Sequence, residues 1–281
     1  MKSLEERIWE AKKLLDEADV IVIGAGSGLS TAAGINFGGE RFEKYCHDFG
    51  EKFGYHDMYS GYFYPYEKPE QFWALVAKTI LVNRYDIEAM PLYKKLYEIM
   101  HERNYFVVTT NTESQFVKAG FPEKKVFEVQ GDYQWFQCSR ACHDKLYYNE
   151  EQVREMVAKT VDCAIPHELL PVCPVCGEPM APNLRADEYF VEDKAWHEMR
   201  NRYEDFIGSI GDQNVVYLEF GIGPNTPAVI RYPFERWTYQ NPNAHLIRFN
   251  RDYPEGNPEN RDKTIAFTED VNEVLESMYS D

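Results

Sequence analysis

The chain has 281 residues, 44% hydrophobic and 27% charged, which suits one large folded domain with a smaller module and excludes wholesale disorder or a fibrous repeat. Its 47 acidic against 30 basic side chains give a formal charge of −17, a surface that repels phosphate backbones and anionic lipid, so neither nucleic acid nor membrane is expected as a partner. No run approaches the roughly 20 apolar residues of a membrane span, the N-terminus lacks a signal peptide's apolar core, and six cysteines do not make a disulfide scaffold, so a cytoplasmic protein with reduced thiols is expected.

Ser3 and Glu6 have capping-box spacing, and Ile8, Ala11, Leu14 and Leu15 recur on one helical face. Asp19 leads into VIVIG, a continuous β-branched run that suits a strand buried on both faces of a parallel sheet. Residues 36–90 hold no convincing sheet strand. They include FGYHDMYSGYFYPY, an aromatic stretch that suits a substrate-facing wall or a lid, or the packing of a small helical lobe. Pro91 opens a helical pattern, and strand-like runs follow at 105–111 and 125–129. Residues 131–184 read as loop, with four of the six cysteines and Pro166, Pro171, Pro174, Pro179 and Pro182. Further strand-like runs stand at 214–221, 244–250 and 264–267, and Asp270 caps a last helix.

Strands alternating with helices predict an α/β fold, a doubly wound Rossmann-like parallel sheet. The expected large domain is 1–35, 91–130 and 185–281. Segments 36–90, a helical insertion, and 131–184, a zinc ribbon, are expected to form the smaller lobe.

IVIGAGSGLSTAAG places Gly24, Gly26 and Gly28 between the first strand and a helix. Glycine lets backbone N–H groups approach a pyrophosphate, and a helix start adds partial positive charge. Leu29 stands where a dinucleotide fingerprint has its third glycine, and no Lys-Ser/Thr follows, so the turn alone also fits a tight strand-to-helix connection without ligand. The cysteines are more specific. Cys138-Ser-Arg-Ala-Cys142 and Cys173-Pro-Val-Cys176 have the spacing of a closed, structural zinc site with four thiolate ligands. Buried free thiols or two labile disulfides are the alternatives.

The order of motifs (the GAG turn, TTNTE at 109–113, FEVQG at 127–131, the four-cysteine ribbon, FGIG at 220–223 and a strand ending in Asn250) resembles the sirtuins over nearly the whole chain. The resemblance implies NAD as co-substrate, bound between a Rossmann-type domain and a zinc-containing lobe. It carries cofactor contacts onto Gly24, Ala25, Gly26 and Ser27, onto Thr110, Asn111 and Glu113 of the motif matching Thr-Gln-Asn-Ile-Asp, and onto Gly221, Ile222, Gly223 and Asn250. Arg41 is implied at the pyrophosphate or the nicotinamide-side ribose. Phe42, or alternatively Phe37, is implied as a cover over ribose C1′.

The departures point to one subgroup. Gln130 replaces the catalytic histidine of Phe-Glu-Leu-His-Gly, GINFGGERF replaces Gly-Ile-Pro-Asp-Phe-Arg, and Leu184-Arg185 replaces paired valines of the acyl-lysine channel. These features look like the macrodomain-linked (class M) sirtuins. That resemblance implies protein ADP-ribosyltransfer to a lipoylated carrier related to the glycine-cleavage H protein, reversed by a macrodomain hydrolase.

The chemistry agrees. An imidazole can take a proton from a ribose hydroxyl near neutral pH; a carboxamide cannot, although it can still hydrogen-bond the sugar. Nicotinamide cleavage should survive and acyl removal should be lost. Asn111, Gln130 and Arg185 are the expected catalytic residues: Asn111 to orient ribose or water, Gln130 to hold the sugar, and Arg185 to attract an acceptor carboxylate. Arg185 reads equally as a surface ion-pair residue, and Asp132 as an acid near the acceptor. A lysine deacylase with another base, an NAD hydrolase and a non-catalytic NAD-sensing module are the rival functions.

Overall fold

The computed structural model of the chain describes residues 2–224 and 227–279. Nine strands occur along these residues: β1 (Val20–Ala25), β2 (Tyr105–Thr109), β3 (Val126–Glu128), β4 (Gly131–Cys138), β5 (Tyr147–Tyr148), β6 (Met180–Leu184), β7 (Val215–Phe220), β8 (Ala244–Phe249) and β9 (Thr264–Phe267). Six of them form one parallel sheet in the order β3-β2-β1-β7-β8-β9.

Every residue of β1 is buried, because helices cover both faces. Its side chains alternate between two cores. Ile21, Ile23 and Ala25 meet Ala11 and Leu15 of helix Leu4–Glu17, Leu92 and Leu96 of helix Pro91–Met100, and Val274 and Leu275 of helix Val271–Tyr279. Val20 and Val22 face Phe234 of helix Arg231–Gln240 and the partly buried Tyr203 and Phe206 of helix Lys194–Gly208. Period-2 alternation in a run apolar on both sides is what a doubly wound sheet demands. The capping box of Ser3 and Glu6 is formed.

Within the sheet, Arg248 of β8 lies opposite Glu219 of β7, and their fully buried side chains pair at 2.8 Å. Arg248 also bonds Glu235 and the Glu255 carbonyl, so the guanidinium has partners on several sides. A buried cation needs that degree of satisfaction to be tolerated.

Residues 131–184 correct the loop expectation. They hold a three-stranded antiparallel sheet, β5-β4-β6, and helix Glu150–Ala158. Pro182 concealed β6 from a reading of the sequence, and an edge strand is where a proline is tolerated. Phe136, Cys138, Val153 and Met156 from this segment share a core with Phe42, Phe49, Trp73 and Leu75.

The aromatic stretch divides by role. Phe53, Tyr55, Tyr64 and Tyr66 pack ring against ring at centroid distances of 5.0–6.5 Å. Tyr59, Tyr62 and Phe63 line a cleft. The packing expectation holds for the first group of rings, and the second group lines a cleft. Among the described residues no helix is long and apolar enough to cross a membrane.

Candidate active site

The chain leaves β1 toward β2 on one side and returns through β7 on the other, so strand order reverses at β1. In open α/β sheets a ligand crevice forms at the carboxyl ends of the strands at such a point. A cleft of about 610 Å³ lies there, lined by Ser27, Phe37, Thr110, Asn111, Glu113, Gln130, Arg185 and Gly223 among others. Its size is ordinary for a small-molecule site.

The glycine turn is built by close backbone approach. A Cβ on Gly28 would stand 2.5 Å from Gly221 Cα, one on Gly26 2.8 Å from Gly221 O, and one on Gly24 2.4 Å from Ile230. Gly221 itself takes φ +58. Gly24, Ala25 and Gly26 therefore pack the turn against the segment after β7 and do not line the cleft; Ser27, the next residue, does. Gly221 and Ile222 also lie outside the lining, while Gly223 reaches it with open space around it. Asn250 donates to Ile222 O at 2.9 Å and accepts from Tyr253 N at 2.9 Å, which fixes the loop after β7 from behind.

Asn111 closes β2. Its backbone N–H bonds Thr109 Oγ1, and its amide donates to Gly26 O at 3.0 Å and to Tyr93 Oη at 3.3 Å. Tyr93 and Ser30 lie 3.0 Å apart, and Ser30 donates a short hydrogen bond to Glu113. Glu113 also accepts from Thr112 N at 3.0 Å. Burial pushes the Glu113 carboxyl up, against the hydrogen bonds from Ser30 and Thr112 that hold it down. Ser30 and Tyr93 escaped the sequence reading. They carry no motif and are recognisable only by their partners.

Gln130 follows β3 and lines the cleft, with no side-chain hydrogen bond to any described residue. Two acidic residues flank it. Asp132, expected near the acceptor, is instead buried against Arg84, with Nε–Oδ1 2.8 Å and Nη2–Oδ2 3.2 Å. It also accepts from Gln134 N and Gln134 Nε2. Its lone pairs are occupied, which removes it as a free acid. Ser114, in the left-handed region at φ 56, stands 2.8 Å from Asp132 Oδ2 and 2.8 Å from Glu128 Oε1. Burial, and Asp132 beside it, push the Glu128 carboxyl well above its ordinary range.

Arg185 follows β6 and donates its backbone N–H to Gln130 O at 3.0 Å. Its guanidinium stacks over Phe190, 4.4 Å to the ring centroid, and forms a short ion pair with Glu192. Arg185 is thus an ion-paired residue that also lines the cleft.

Two cofactor expectations are corrected. Phe42 is buried in the second core against Tyr55, so of the two candidate aromatics only Phe37 faces the cleft. Arg41 donates to Val82 O at 2.6 Å and Asn83 Oδ1 at 2.9 Å, bracing the π-helical turn Leu81–Tyr85 and not lining the cleft. That turn supplies Asn83 to the cleft and Arg84 to Asp132. A π-helical turn of this kind often accompanies a functional site, and no sequence pattern announced it.

The four cysteines converge. Cys138 and Cys176 sulfurs are 3.6 Å apart, Cys142 and Cys173 3.7 Å, and all four lie within 4.8 Å of one another. A tetrahedron with Zn–S near 2.3 Å has sulfur–sulfur edges of about 3.8 Å, so the set fits a structural zinc ion. Cys46 and Cys163 lie apart from this cluster.

No protein-family model matches the chain. Solved sirtuins share its fold. A Sir2 protein with a p53 peptide and NAD+ superposes at TM-score 0.60 and 20% identity, over 99% of this chain and 97% of that one. A Sir2Tm structure bound to a propionylated peptide does so at TM-score 0.60 and 20% identity, over 96% of each chain. The fold is that of the sirtuins. Among curated proteins, a protein ADP-ribosyltransferase of Staphylococcus aureus is 36% identical over 276 residues, 97% of this chain and 88% of that protein. A probable bifunctional ADP-ribose hydrolase/ADP-ribosyltransferase of Fusarium oxysporum is 27% identical over 80% of this chain and 39% of its own length. The chain belongs to the protein ADP-ribosyltransferase family, built on the sirtuin fold.

Proposed function

We propose that this enzyme cleaves nicotinamide from NAD and transfers the ADP-ribosyl group to a carboxylate of an acceptor protein. The observation that carries the reading is the place of Gln130 in a cleft that no histidine lines, among the described residues. Glu113, an acidic group in that lining, accepts from Ser30 on one oxygen and from Thr112 N–H on the other, so both oxygens are engaged within the protein.

The C1′–N bond of NAD breaks with its electron pair going to nicotinamide, which leaves neutral. An acceptor carboxylate oxygen supplies the electron pair of the new bond to C1′. No proton has to be removed, which suits a site with an amide where a base would stand. Asn111, fixed through Gly26 and Tyr93, orients the ribose; Gln130 grips its hydroxyls; Arg185 draws the acceptor carboxylate to the rim. Phe37 shields C1′ from water. Ser27, Thr110, Glu113 and Gly223 contact the dinucleotide, while Gly24, Ala25, Gly26, Gly221, Ile222 and Asn250 hold that surface in shape. Cys138, Cys142, Cys173 and Cys176 hold zinc, a closed site that supplies structure and no chemistry.

The finer reading is a class M enzyme working in the cytoplasm on a lipoylated carrier related to the glycine-cleavage H protein, with a macrodomain hydrolase as its opposing partner. The residue pattern at Gln130 and Arg185 supports it, as does the fungal relative, whose name joins an ADP-ribose hydrolase to an ADP-ribosyltransferase. The proposed large domain is 1–35, 91–130 and 185–281, and the proposed small lobe is 36–90 with 131–184.

Mass spectrometry of a lipoylated carrier incubated with NAD and the enzyme tests the activity. An ADP-ribose adduct is expected, and Gln130→Ala and Asn111→Ala should each abolish it. Deacylated lysine with O-acyl-ADP-ribose and no adduct overturns the proposal.

A further inference from the structure

Gln130 stands between two acidic residues that a single hydroxyl holds together. Ser114 Oγ is 2.8 Å from Glu128 Oε1 and 2.8 Å from Asp132 Oδ2. A hydroxyl has one proton to give, so two charged carboxylates cannot both be satisfied at that oxygen. One carboxyl must itself donate. Asp132 already receives Arg84, Gln134 N and Gln134 Nε2, and its role is the charged one. Glu128 has no cation within ion-pair distance among the described residues, and burial beside Asp132 raises its carboxyl. Donation from Glu128 O–H to Ser114, and from Ser114 O–H to Asp132, would satisfy all three groups at these distances.

Each end of this chain is tied to a different part of the molecule. Glu128 ends β3 of the large sheet. Asp132 is gripped by Arg84, from the π-helical turn that also sends Asn83 into the cleft. Lys118 fixes that turn by donating to the Arg84 and Ile87 carbonyls. Ser114 directly follows Glu113 and keeps a left-handed backbone that a non-glycine residue adopts at a cost. Gly131, between Gln130 and Asp132, takes φ +91, and a Cβ there would stand 2.0 Å from the Asn183 carbonyl oxygen. The hairpin thus has little room to shift except as the clamp directs.

We propose that Ser114, Asp132 and Arg84, with Glu128 as an uncharged hydrogen-bond donor, are positioning residues for Gln130: they set the angle at which its amide meets the ribose, and so decide how much of the ADP-ribosyl group reaches protein and how much reaches water. This rests on the reading that Gln130 holds the sugar.

The two carboxyls should respond oppositely to conservative change. Glu128→Gln keeps a donor toward Ser114 and should hold kcat for transfer within about 3-fold of the native enzyme. Asp132→Asn and Ser114→Ala should lower kcat by about 10- to 100-fold, the range a misplacement near 1 Å produces. KM for NAD should stay within about 3-fold, and the share of free ADP-ribose among products should rise. Zinc content and thermal unfolding are measured alongside to confirm folding. If the Asp132 variant fails to fold, Ser114→Ala and infrared spectra of the native enzyme still decide the matter. A protonated-carboxyl band near neutral pH that disappears in Glu128→Gln is expected. Absence of that band overturns the donor chain. Folded Asp132→Asn and Ser114→Ala with unchanged kcat and product ratio, or with KM alone affected, overturn the positioning role. Full transfer by Gln130→Ala would instead sink the underlying reading, whatever the clamp variants do.

Discussion

Arg185 donates its backbone N–H to the carbonyl of Gln130 across 3.0 Å, so the residue at the cleft rim and the amide within it are fixed to each other by the main chain. Neither side chain is needed for that bond. Either can be replaced without uncoupling the two positions, which makes their side-chain roles separable by mutation.

Arg185→Ala should raise KM for the acceptor protein by about 10-fold while nicotinamide release without acceptor changes little. Glu192→Gln frees the guanidinium from its partner and should lower acceptor KM, with a steeper dependence on salt. Steady-state kinetics at two ionic strengths check both. An unchanged acceptor KM in Arg185→Ala would leave the residue as a surface ion-pair group.

Gly28→Ala should destabilise the fold by about 1–3 kcal/mol, because the new Cβ would meet the Gly221 main chain, which has no room to move. Gly223→Ala, with nothing within 4 Å of the added atom, should leave the denaturant midpoint unchanged within about 0.5 kcal/mol. Urea unfolding of the two variants makes the comparison.

Removing zinc with a strong chelator should lower the first unfolding midpoint by on the order of 10 °C, because metal binding to a folded four-thiolate site is folding free energy. Trp73 lies in the core shared with Cys138 and Cys173, and Trp196 packs against the large sheet. Fluorescence of variants keeping one or the other reporter should show Trp73 released first. Simultaneous release would mean that the two cores unfold as one.

Stability should also fall as pH rises above the ordinary carboxylate range. Glu113 is raised by burial from 4.5, so between its unfolded and folded values the folded chain binds the extra proton and loses that advantage on deprotonation. Glu128 acts in the same direction. Glu113→Gln should flatten this part of the profile. Thermal midpoints of native and variant protein from pH 5 to about 8 measure it; identical slopes would exclude Glu113 as a source.

The large sheet was legible because its strands are continuous apolar runs, a pattern that both-face burial imposes on VIVIG and NVVYLEF alike. The cysteines were legible through spacing. Phe42 was misplaced because helix Gly39–Phe53 turns it into a core while Phe37, just before, faces the cleft. Arg84 and Ser114 were invisible for another reason. Their meaning lies in contacts with Asp132 and Glu128 across the fold, and such contacts leave no period or spacing in the chain.

The cysteine cluster and the Gln130–Arg185 end of the cleft are opposite tips of one ribbon. β4 starts immediately after Gln130 and ends on Cys138; β6 starts beyond Cys176 and ends immediately before Arg185. An ion that never meets a reactant therefore anchors the far end of a lever whose near end carries both side chains. Oxidants that attack the sulfurs would be felt about 25 Å away as a loss of aim, before any loss of shape.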